Sequence, residues 1–323
     1  MSTKHTNLVV SSAPHVNNPV NTAVIMRDVV IALIPALVWS IYMFGIRALI
    51  LTLVCAAACV FFEWAVRRIM HRDSSTVRDW SAIVTGVILA FNLPVSLPYW
   101  MAVIGCFVAI VIVKQLFGGL GQNFANPAIV ARIALFVGFA GKMAVWTVSP
   151  KMSDVIVEAA ADAVSGPTPL GLLAKGMEVP SNIDMFLGRI NGSMGEISAV
   201  CLLIGGIYLV IKKVISPAIP VSFIGTVFVL ALVFGVDPVF AICSGGVMLG
   251  AIFMATDYVT SPITVPGKII FGIGCGVFTM LIRQFGAYPE GVSFAILLMN
   301  ILTPHIDNLT KVKLNGVEKG GNK

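Results

Sequence analysis

The chain has 323 residues, of which 58% are hydrophobic. Only 11% are charged, against roughly 25% in an average soluble domain, and the mean hydropathy is +0.95. This composition excludes an ordinary water-soluble domain and predicts an all-α polytopic membrane protein embedded in a lipid bilayer. The net charge of +6 does not indicate a nucleic-acid partner, because the basic residues fall in short segments between apolar runs.

Ten apolar runs approach the length of about 20 residues that a helix needs to cross a bilayer, and several are interrupted by proline or glycine. Residues 1–28 precede the first run and show no cleavable signal peptide, so we expect the first span to direct insertion. The candidate spans are residues 29–45, 47–66, 80–96, 99–117, 127–147, 195–213, 218–236, 238–256, 267–285 and 291–306.

The distribution of positive charge predicts the orientation of the chain. With a cytoplasmic N-terminus, 15 of the 21 lysine and arginine residues, including Arg132, fall on the inner side of the membrane. Positive residues are retained preferentially in the cytoplasm. We therefore expect both terminal segments, residues 1–28 and 307–323, to be cytoplasmic and the polar residues 148–194 to be extracytoplasmic.

An internal repeat is visible when Gly86–Pro98 is compared with Gly250–Pro262. The two copies are five spans apart, an odd number, so they must cross the membrane in opposite directions. Residues 29–147 and 195–306 are therefore predicted to be two inverted five-helix repeats with broken helices, as in many transporters. Two pairs of helix interruptions follow from the repeat, and both are candidates for the site of a buried cofactor or for an ion path. Residues 92–98 pair with residues 256–262, and residues 118–127 pair with residues 286–291.

Few ionisable residues lie near the predicted spans. Asp257 is the candidate for an ion path, because it falls on a helix break with Thr256 and Thr260 nearby. The others lie near predicted span ends, where they can reach water, and they are Glu63, Arg132, Asp237, Arg283 and Glu290.

All six cysteines lie inside apolar runs, and the chain has no Cys-x-x-Cys pair. Cysteines in this position usually behave as small hydrophobic residues. We expect no iron–sulfur cluster and no zinc ion to be held by this chain alone.

The long polar segment contains Asp162–Leu170, in which Thr168 stands between Pro167 and Pro169. The two prolines favour an extended backbone at Thr168, and Ser165 with Gly166 adds a small, flexible approach. A threonine hydroxyl presented in this way is accessible to a modifying enzyme. The alternative is a Ser/Gly/Pro turn without chemistry.

A resemblance to a known family covers nearly the whole chain. It is carried by the ten spans, by the ending Gly291–Pro304 and by four residues of the polar segment, which are Asp162, Ser165, Gly166 and Thr168. The sequence resembles the NqrB/RnfD family, which contains membrane subunits of the sodium-pumping NADH:quinone oxidoreductase and of the Rnf electron-transport complex. Its length and short polar N-terminus are more similar to the Rnf member. The family's attachment pattern is similar to Asp-x-x-Ser/Thr-Gly-Ala-Thr, and Pro167 replaces the alanine here.

The resemblance implies a flavoprotein. FMN would be joined through its phosphate to Thr168 by a flavin transferase that uses FAD, with Asp162, Ser165 and Gly166 in the attachment motif. A second, non-covalent flavin such as riboflavin is implied within the membrane. The implied partners are other membrane and peripheral subunits of the Rnf complex, including a second FMN-bearing subunit, in a bacterial inner membrane.

Our leading hypothesis is a membrane flavoprotein subunit of an ion-translocating ferredoxin:NAD+ oxidoreductase, which passes electrons through the Thr168-linked FMN while sodium ions or protons are moved. The chain has neither a nicotinamide-binding Gly-x-Gly-x-x-Gly on a strand nor a ferredoxin cysteine pattern, so the entry and exit of electrons must lie on partners. The alternatives are a neutral-solute channel or transporter on the same repeat, without a redox cofactor, and a scaffold for a redox partner.

Overall fold

The computed structural model describes residues 21–71, 79–149, 151–152, 166–286 and 290–311. Asp162 and Ser165 lie outside these residues. Across the described residues the chain is helical and has no β-strand, and the apolar character of its helices makes it an all-α polytopic membrane protein. The predicted fold class is confirmed.

Fourteen helices follow one another in the part of the chain that is described, and α4 and α12 each continue into a π-helical turn. The first seven are α1 (Thr22–Phe44), α2 (Ile46–Ile69), α3 (Ser81–Phe91), α4 (Tyr99–Phe107, then Val108–Gln115), α5 (Pro127–Gly138), α6 (Ala140–Met143) and α7 (Pro169–Ala174). The others are α8 (Asn182–Leu187), α9 (Ala199–Ile211), α10 (Ala218–Val233), α11 (Pro238–Cys243), α12 (Val247–Leu249, then Gly250–Met254), α13 (Val265–Phe285) and α14 (Val292–Leu309).

Four of these helices, α1, α2, α13 and α14, are long and apolar enough to cross a membrane alone. Five shorter apolar helices, α3, α4, α5, α9 and α10, and the divided pair α11 and α12 account for the other predicted spans. The interruptions expected at residues 92–98 and 256–262 are both non-helical, as predicted. The shorter and divided helices do not cross the bilayer alone, because they end at breaks inside the protein, where other segments satisfy their free backbone groups.

Several predicted span limits are wrong. Helix α1 begins at Thr22 rather than at residue 29, because the side chain of Asn21 accepts from the backbone N–H of Val24 at 3.0 Å and caps the helix there. Helix α3 ends at Phe91, five residues before the predicted limit at residue 96. Helix α5 ends at Gly138, and the chain turns into α6 instead of continuing to residue 147.

The two predicted halves contact each other through corresponding helices. Helix α1 packs against α9, and α5 packs against α14. At the α1–α9 contact, a Cβ added to Gly205 would overlap with the carbonyl oxygen of Ala32, so only glycine permits this approach. A pseudo-two-fold axis would produce these pairings, and the division into inverted repeats stays a prediction.

The described part of the long polar segment and the residues that follow it, 166–198, pack against the rest of the protein. They form α7 and α8 and then fold back onto the helices. The backbone N–H of Gly195 donates to the carbonyl oxygen of Phe91 at 2.9 Å, and Ser193 is completely buried. Much of this segment is therefore buried although its composition is polar. The Asn191 amide donates to the carbonyl oxygens of Gly166 and Pro167, whereas Oγ of Ser193 has no hydrogen-bond partner among the described residues.

Candidate functional site

Thr168 has the extended backbone that its flanking prolines predict, with φ −74° and ψ 163°. It is the N-cap residue of α7, and its side-chain oxygen Oγ1 accepts from the backbone N–H of Gly171 at 3.2 Å. Thr168 itself lies outside the helix, as its flanking prolines predict, but the sequence analysis did not foresee that α7 begins directly after it. Threonine followed by proline is a common start of a helix, and this signal in the sequence could have predicted α7.

The backbone that leads to Thr168 is held on both sides. The N–H of Gly166 donates to the carbonyl oxygen of Trp146 at 3.1 Å. The side-chain amide of Asn191 donates to the carbonyl oxygen of Gly166 at 2.9 Å and to that of Pro167 at 3.5 Å. Sequence reasoning missed Asn191, which is separated from Gly166 by 25 positions and carries no motif.

Thr168 lines a cavity of about 260 Å³ between α5, α6 and the start of α14. This volume lies near the lower end of the range of about 300–1,000 Å³ for small-molecule sites. The rings of Phe136 and Phe294 contact each other edge to face in its wall, with centroids 6.4 Å apart. The lining is mainly apolar, and its polar members are Arg132, Thr168, Glu290 and Ser293.

The charged part of the cavity is centred on Arg132, whose side chain is 7% exposed. Its Nη1 lies 3.2 Å from Oε1 of Glu196 and donates to Oδ1 of Asn92 and Oγ of Ser293, both at 3.0 Å. Its Nη2 donates to Oε2 of Glu290. The guanidinium of Arg132 therefore pairs with two carboxylates, those of Glu196 and Glu290, which come from distant parts of the chain.

A second arginine borders this cluster. Arg283 donates from Nη1 to the carbonyl oxygen of Ala241 at 2.6 Å and from Nη2 to that of Ser244 at 2.7 Å. Its Nε contacts the carbonyl oxygen of Glu290 at 3.5 Å. Arg283 thus fixes the break between α11 and α12 against the segment before α14.

Glu290 lies in the segment before α14, and its side chain is 21% exposed. Burial of the carboxylate is the largest influence and raises its pKa to about 7, and Glu196 acts in the same direction. Arg132 and Arg283 oppose this rise. Glu290 therefore changes its charge near neutral pH.

The charge count placed Arg132 on the opposite side of the membrane from Thr168, and the structure contradicts this relative placement. The structure groups Arg132 with Glu196, Glu290 and Thr168, all of which belong to the side predicted to be extracytoplasmic. Reassigning this residue leaves 14 of the 21 lysine and arginine residues on the inner side, so the charge asymmetry still has the same sign. Charge counting failed here because Arg132 is inside α5 and its partners neutralise it.

Asp257 belongs to a different cavity from Thr168. This cavity, of about 80 Å³, is also lined by Lys114, Asn123, Asn126 and Thr256. Oδ2 of Asp257 accepts from the hydroxyl of Thr260 at 3.0 Å, as the spacing suggested. The Thr256 hydroxyl instead donates to the carbonyl oxygen of Ile252, in the π-helical turn of α12, at 2.6 Å.

Lys114 connects this second cavity with a buried polar network that the sequence did not reveal. Its Nζ lies 3.0 Å from Oε2 of Glu63 and donates to Oγ of Ser81 at 2.6 Å. Gln115 donates to the other oxygen of Glu63 at 2.9 Å. The π-helical turn of α4 presents Lys114 and Gln115 together, a distortion that is frequent at functional sites.

Five of the six cysteines are buried, and Cys201 is half-buried, in agreement with their predicted place in apolar runs. Sγ of Cys106 contacts the carbonyl oxygen of Cys55 at 3.5 Å. Among the described residues, His, Cys, Asp and Glu side chains form no group of three or more that could hold a metal ion.

The whole chain matches known proteins. Residues 9–316 match the sequence profile of the family described as NQR2, RnfD, RnfE family. The chain is 49% identical over 317 residues to the D subunit of the Na(+)-translocating ferredoxin:NAD(+) oxidoreductase complex of Acetobacterium woodii, with 97% of this chain and 96% of that relative covered.

Two further relatives give the same result. The chain is 44% identical to the D subunit of the proton-translocating ferredoxin:NAD(+) oxidoreductase complex of Clostridium ljungdahlii, with 94% of each chain covered. It is 38% identical to the D subunit of the ion-translocating oxidoreductase complex of Stutzerimonas stutzeri, with 90% of this chain and 91% of that relative covered.

Proposed function

The chain belongs to the NQR2, RnfD, RnfE family, and we propose that it is the RnfD subunit of an ion-translocating ferredoxin:NAD+ oxidoreductase, the Rnf complex, and transfers electrons through FMN attached to Thr168. It acts as one subunit of a multi-subunit redox enzyme, with the other Rnf subunits as partners. Family membership favours this role over a neutral-solute channel or a scaffold. A flavin transferase and a second FMN-bearing subunit complete the proposed set of partners.

The observation that carries the proposal is that the Thr168 side chain lines a partly apolar cavity beside a buried arginine. The aromatic walls formed by Phe136 and Phe294 suit a flat, largely apolar flavin ring. Arg132 supplies positive charge in the same cavity, as a phosphate group requires. The flavin itself supplies the redox chemistry, and the protein has to anchor it, shield it and tune it.

The hydrogen bonding of Thr168 is compatible with a phosphoester. In the bond to Gly171 the Thr168 hydroxyl acts as the acceptor, and its hydrogen donates to no residue in the described part of the chain. Replacing that hydrogen by a phosphoryl group keeps the oxygen that caps α7. Gly166 and the residues Asp162 and Ser165, outside the described part of the chain, are proposed as the motif that the transferase recognises.

We place the Thr168 side of the molecule outside the cytoplasm and both termini inside, in the bacterial inner membrane. The remaining lysine and arginine asymmetry supports this orientation. Asp257 and its cavity then lie toward the cytoplasmic side, where they are our candidate for the path of the coupling ion. A second, non-covalent flavin such as riboflavin is proposed within the membrane domain.

The proposal is tested by in-gel flavin fluorescence of the denatured chain after co-expression with the flavin transferase. Thr168→Ala should remove the fluorescence. Thr264→Ala is the matched control, because Thr264 caps α13 in the same way, accepting from the N–H of Gly267 at 3.1 Å. Fluorescence that survives in Thr168→Ala, or is absent from the native chain, would refute the attachment.

A further inference from the structure

Glu290 and Glu196 compete for one guanidinium. Both carboxylates contact Arg132, and both lie in the charged cluster beside Thr168. Arg132 is shared between the two carboxylates, and the second cation, Arg283, contacts Glu290 through the backbone carbonyl oxygen of that residue, so burial raises the proton affinity of one carboxylate. The cluster therefore contains a proton-accepting group before any ligand is bound.

The geometry points to Glu290 as that group. Glu290 lines both cavities that border Thr168, the larger one with Arg132 and the smaller one with Glu196. Its side chain is 21% exposed, whereas that of Glu196 is 5% exposed. Glu290 is thus in contact with the Thr168 cavity and with a route to water, and Glu196 is enclosed.

Each helix or segment that packs against Glu290 contributes a charged side chain. Arg132 approaches from α5, Glu196 from the segment before α9 and Arg283 from α13. Arg283 donates hydrogen bonds to the carbonyl oxygens of Ala241 and Ser244, so its guanidinium is directed at these backbone groups as well as at Glu290. The balance of these groups and of burial leaves the pKa of Glu290 at about 7, a value at which a nearby change of charge alters its protonation.

On the premise of the proposed function, we propose that Glu290 takes up a proton when the flavin attached to Thr168 is reduced. Two electrons arrive from the electron-donating subunits of the complex, and one proton enters the flavin with them. The second proton passes from the water on the Thr168 side to a carboxylate oxygen of Glu290 and offsets the added negative charge. When the electrons leave, both protons return to water.

The physical reason is electrostatic. A negative charge added to a ring in the cavity lies close to the Glu290 carboxylate in a partly dehydrated environment, and it disfavours the ionised form. The negative phosphate of the linked flavin acts in the same direction. Reduction and protonation therefore stabilise each other, and the potential of the flavin must fall as the pH rises.

The test is a spectroelectrochemical titration of the flavin in the purified complex, from pH 6 to pH 9. Each proton taken up with two electrons shifts the potential by about 30 mV per pH unit. In the pH range where Glu290 is ionised in the oxidised complex and protonated in the reduced complex, the native potential should fall about 30 mV per pH unit more steeply than that of Glu290→Gln. The control Glu178→Gln, at an exposed residue of the same polar segment, should behave like the native protein.

A second measurement detects protonation of the carboxylate directly. Redox-difference infrared spectra of the native complex above pH 7 should show a carboxylic acid C=O band that appears on reduction and shifts in heavy water. This band should be absent from Glu290→Gln and present in Glu178→Gln. The same slope in native and Glu290→Gln protein, or a pH effect lost in Glu196→Gln but kept in Glu290→Gln, would overturn the inference.

The proposed function and the role of Glu290 can be refuted separately. If the denatured native chain carries no covalent flavin, the proposed function fails and this inference falls with it. If the covalent flavin is present at full occupancy in native and Glu290→Gln protein but the potentials run parallel with pH, only the role of Glu290 is refuted.

Discussion

The side-chain amide of Asn191 donates to the carbonyl oxygen of Gly166 at 2.9 Å and fixes the backbone two residues before Thr168. The same amide reaches the carbonyl oxygen of Pro167 at 3.5 Å. The position of Thr168 is therefore set by a residue that is 1% exposed and lies beyond α8. This contact makes the Thr168 site a packed structure rather than a free loop.

Asn191→Ala should destabilise the protein and lower the fraction of chains that carry flavin. The substitution leaves the carbonyl oxygens of Gly166 and Pro167 without this donor, at a cost of about 1–3 kcal/mol. The measurement is thermal unfolding in one detergent, together with the flavin-to-protein ratio. Asn182→Ala is the control, because Asn182 donates to Asp237 at an exposed position, and equal effects of the two substitutions would argue against the role of Asn191.

Arg132→Met should destabilise the protein strongly, by about 3–5 kcal/mol, because it leaves two carboxylates without their cation. The triple variant Arg132→Met, Glu196→Gln and Glu290→Gln should recover part of this loss, since it removes the unpaired charges as well. Unfolding by denaturant or heat provides the comparison.

Arg189→Met is the control for loss of a surface ion pair. Arg189 lies 3.8 Å from Asp184, and its side chain is 56% exposed, so its loss should cost at most about 1 kcal/mol. If the triple variant is no more stable than Arg132→Met, the arginine does not act by neutralising the two carboxylates.

The stability of the flavin-free chain should fall as the pH rises from about 4.5 to about 7. The pKa of Glu290 is raised from 4.5 to about 7 in the folded protein, so the folded state holds the proton more tightly than the unfolded state. Unfolding then releases a proton in this window, and raising the pH favours unfolding. Glu290→Gln should remove this part of the pH dependence, and an unchanged profile in the variant would contradict the assignment.

Asp257→Asn should abolish or strongly reduce ion uptake by the complex in proteoliposomes, with reduction of the flavin unaffected. The substitution removes a carboxylate from the cavity that Lys114 also lines and so removes a charge that stabilises a passing cation. Asp237→Asn is the control, since Asp237 is a helix-capping residue at the surface. Uptake that persists in Asp257→Asn at the native rate would exclude this path.

Local patterns in the sequence predicted much of the architecture. Each of the ten apolar runs coincides with at least one helix of the described residues, because hydrophobic length is imposed by the bilayer, whereas α7 and α8 lie outside these runs. The prolines on each side of Thr168 predicted its extended backbone, since their rings restrict the neighbouring dihedral angles. The interruptions at residues 92–98 and 256–262 were predictable from their prolines and polar residues.

The contacts that complete the site were not predictable in this way. Arg132 meets Asn92 across 40 positions and Glu290 across 158, and no local pattern records such pairs. Its charge was therefore counted with the inner residues, although its partners lie on the Thr168 side. The polar composition around Thr168 is typical of an exposed loop. Composition counts polar residues and does not show which of them are buried.

The central claim is tested most directly by mass spectrometry of the peptide that contains Thr168, from chain that was co-expressed with the flavin transferase and then denatured. The account predicts that this peptide carries the mass of one FMN less one water, with fragmentation assigning the added group to Thr168. The addition should be retained in Thr264→Ala and absent from Thr168→Ala. An unmodified peptide from the native chain, or FMN attached to another residue, would contradict the account.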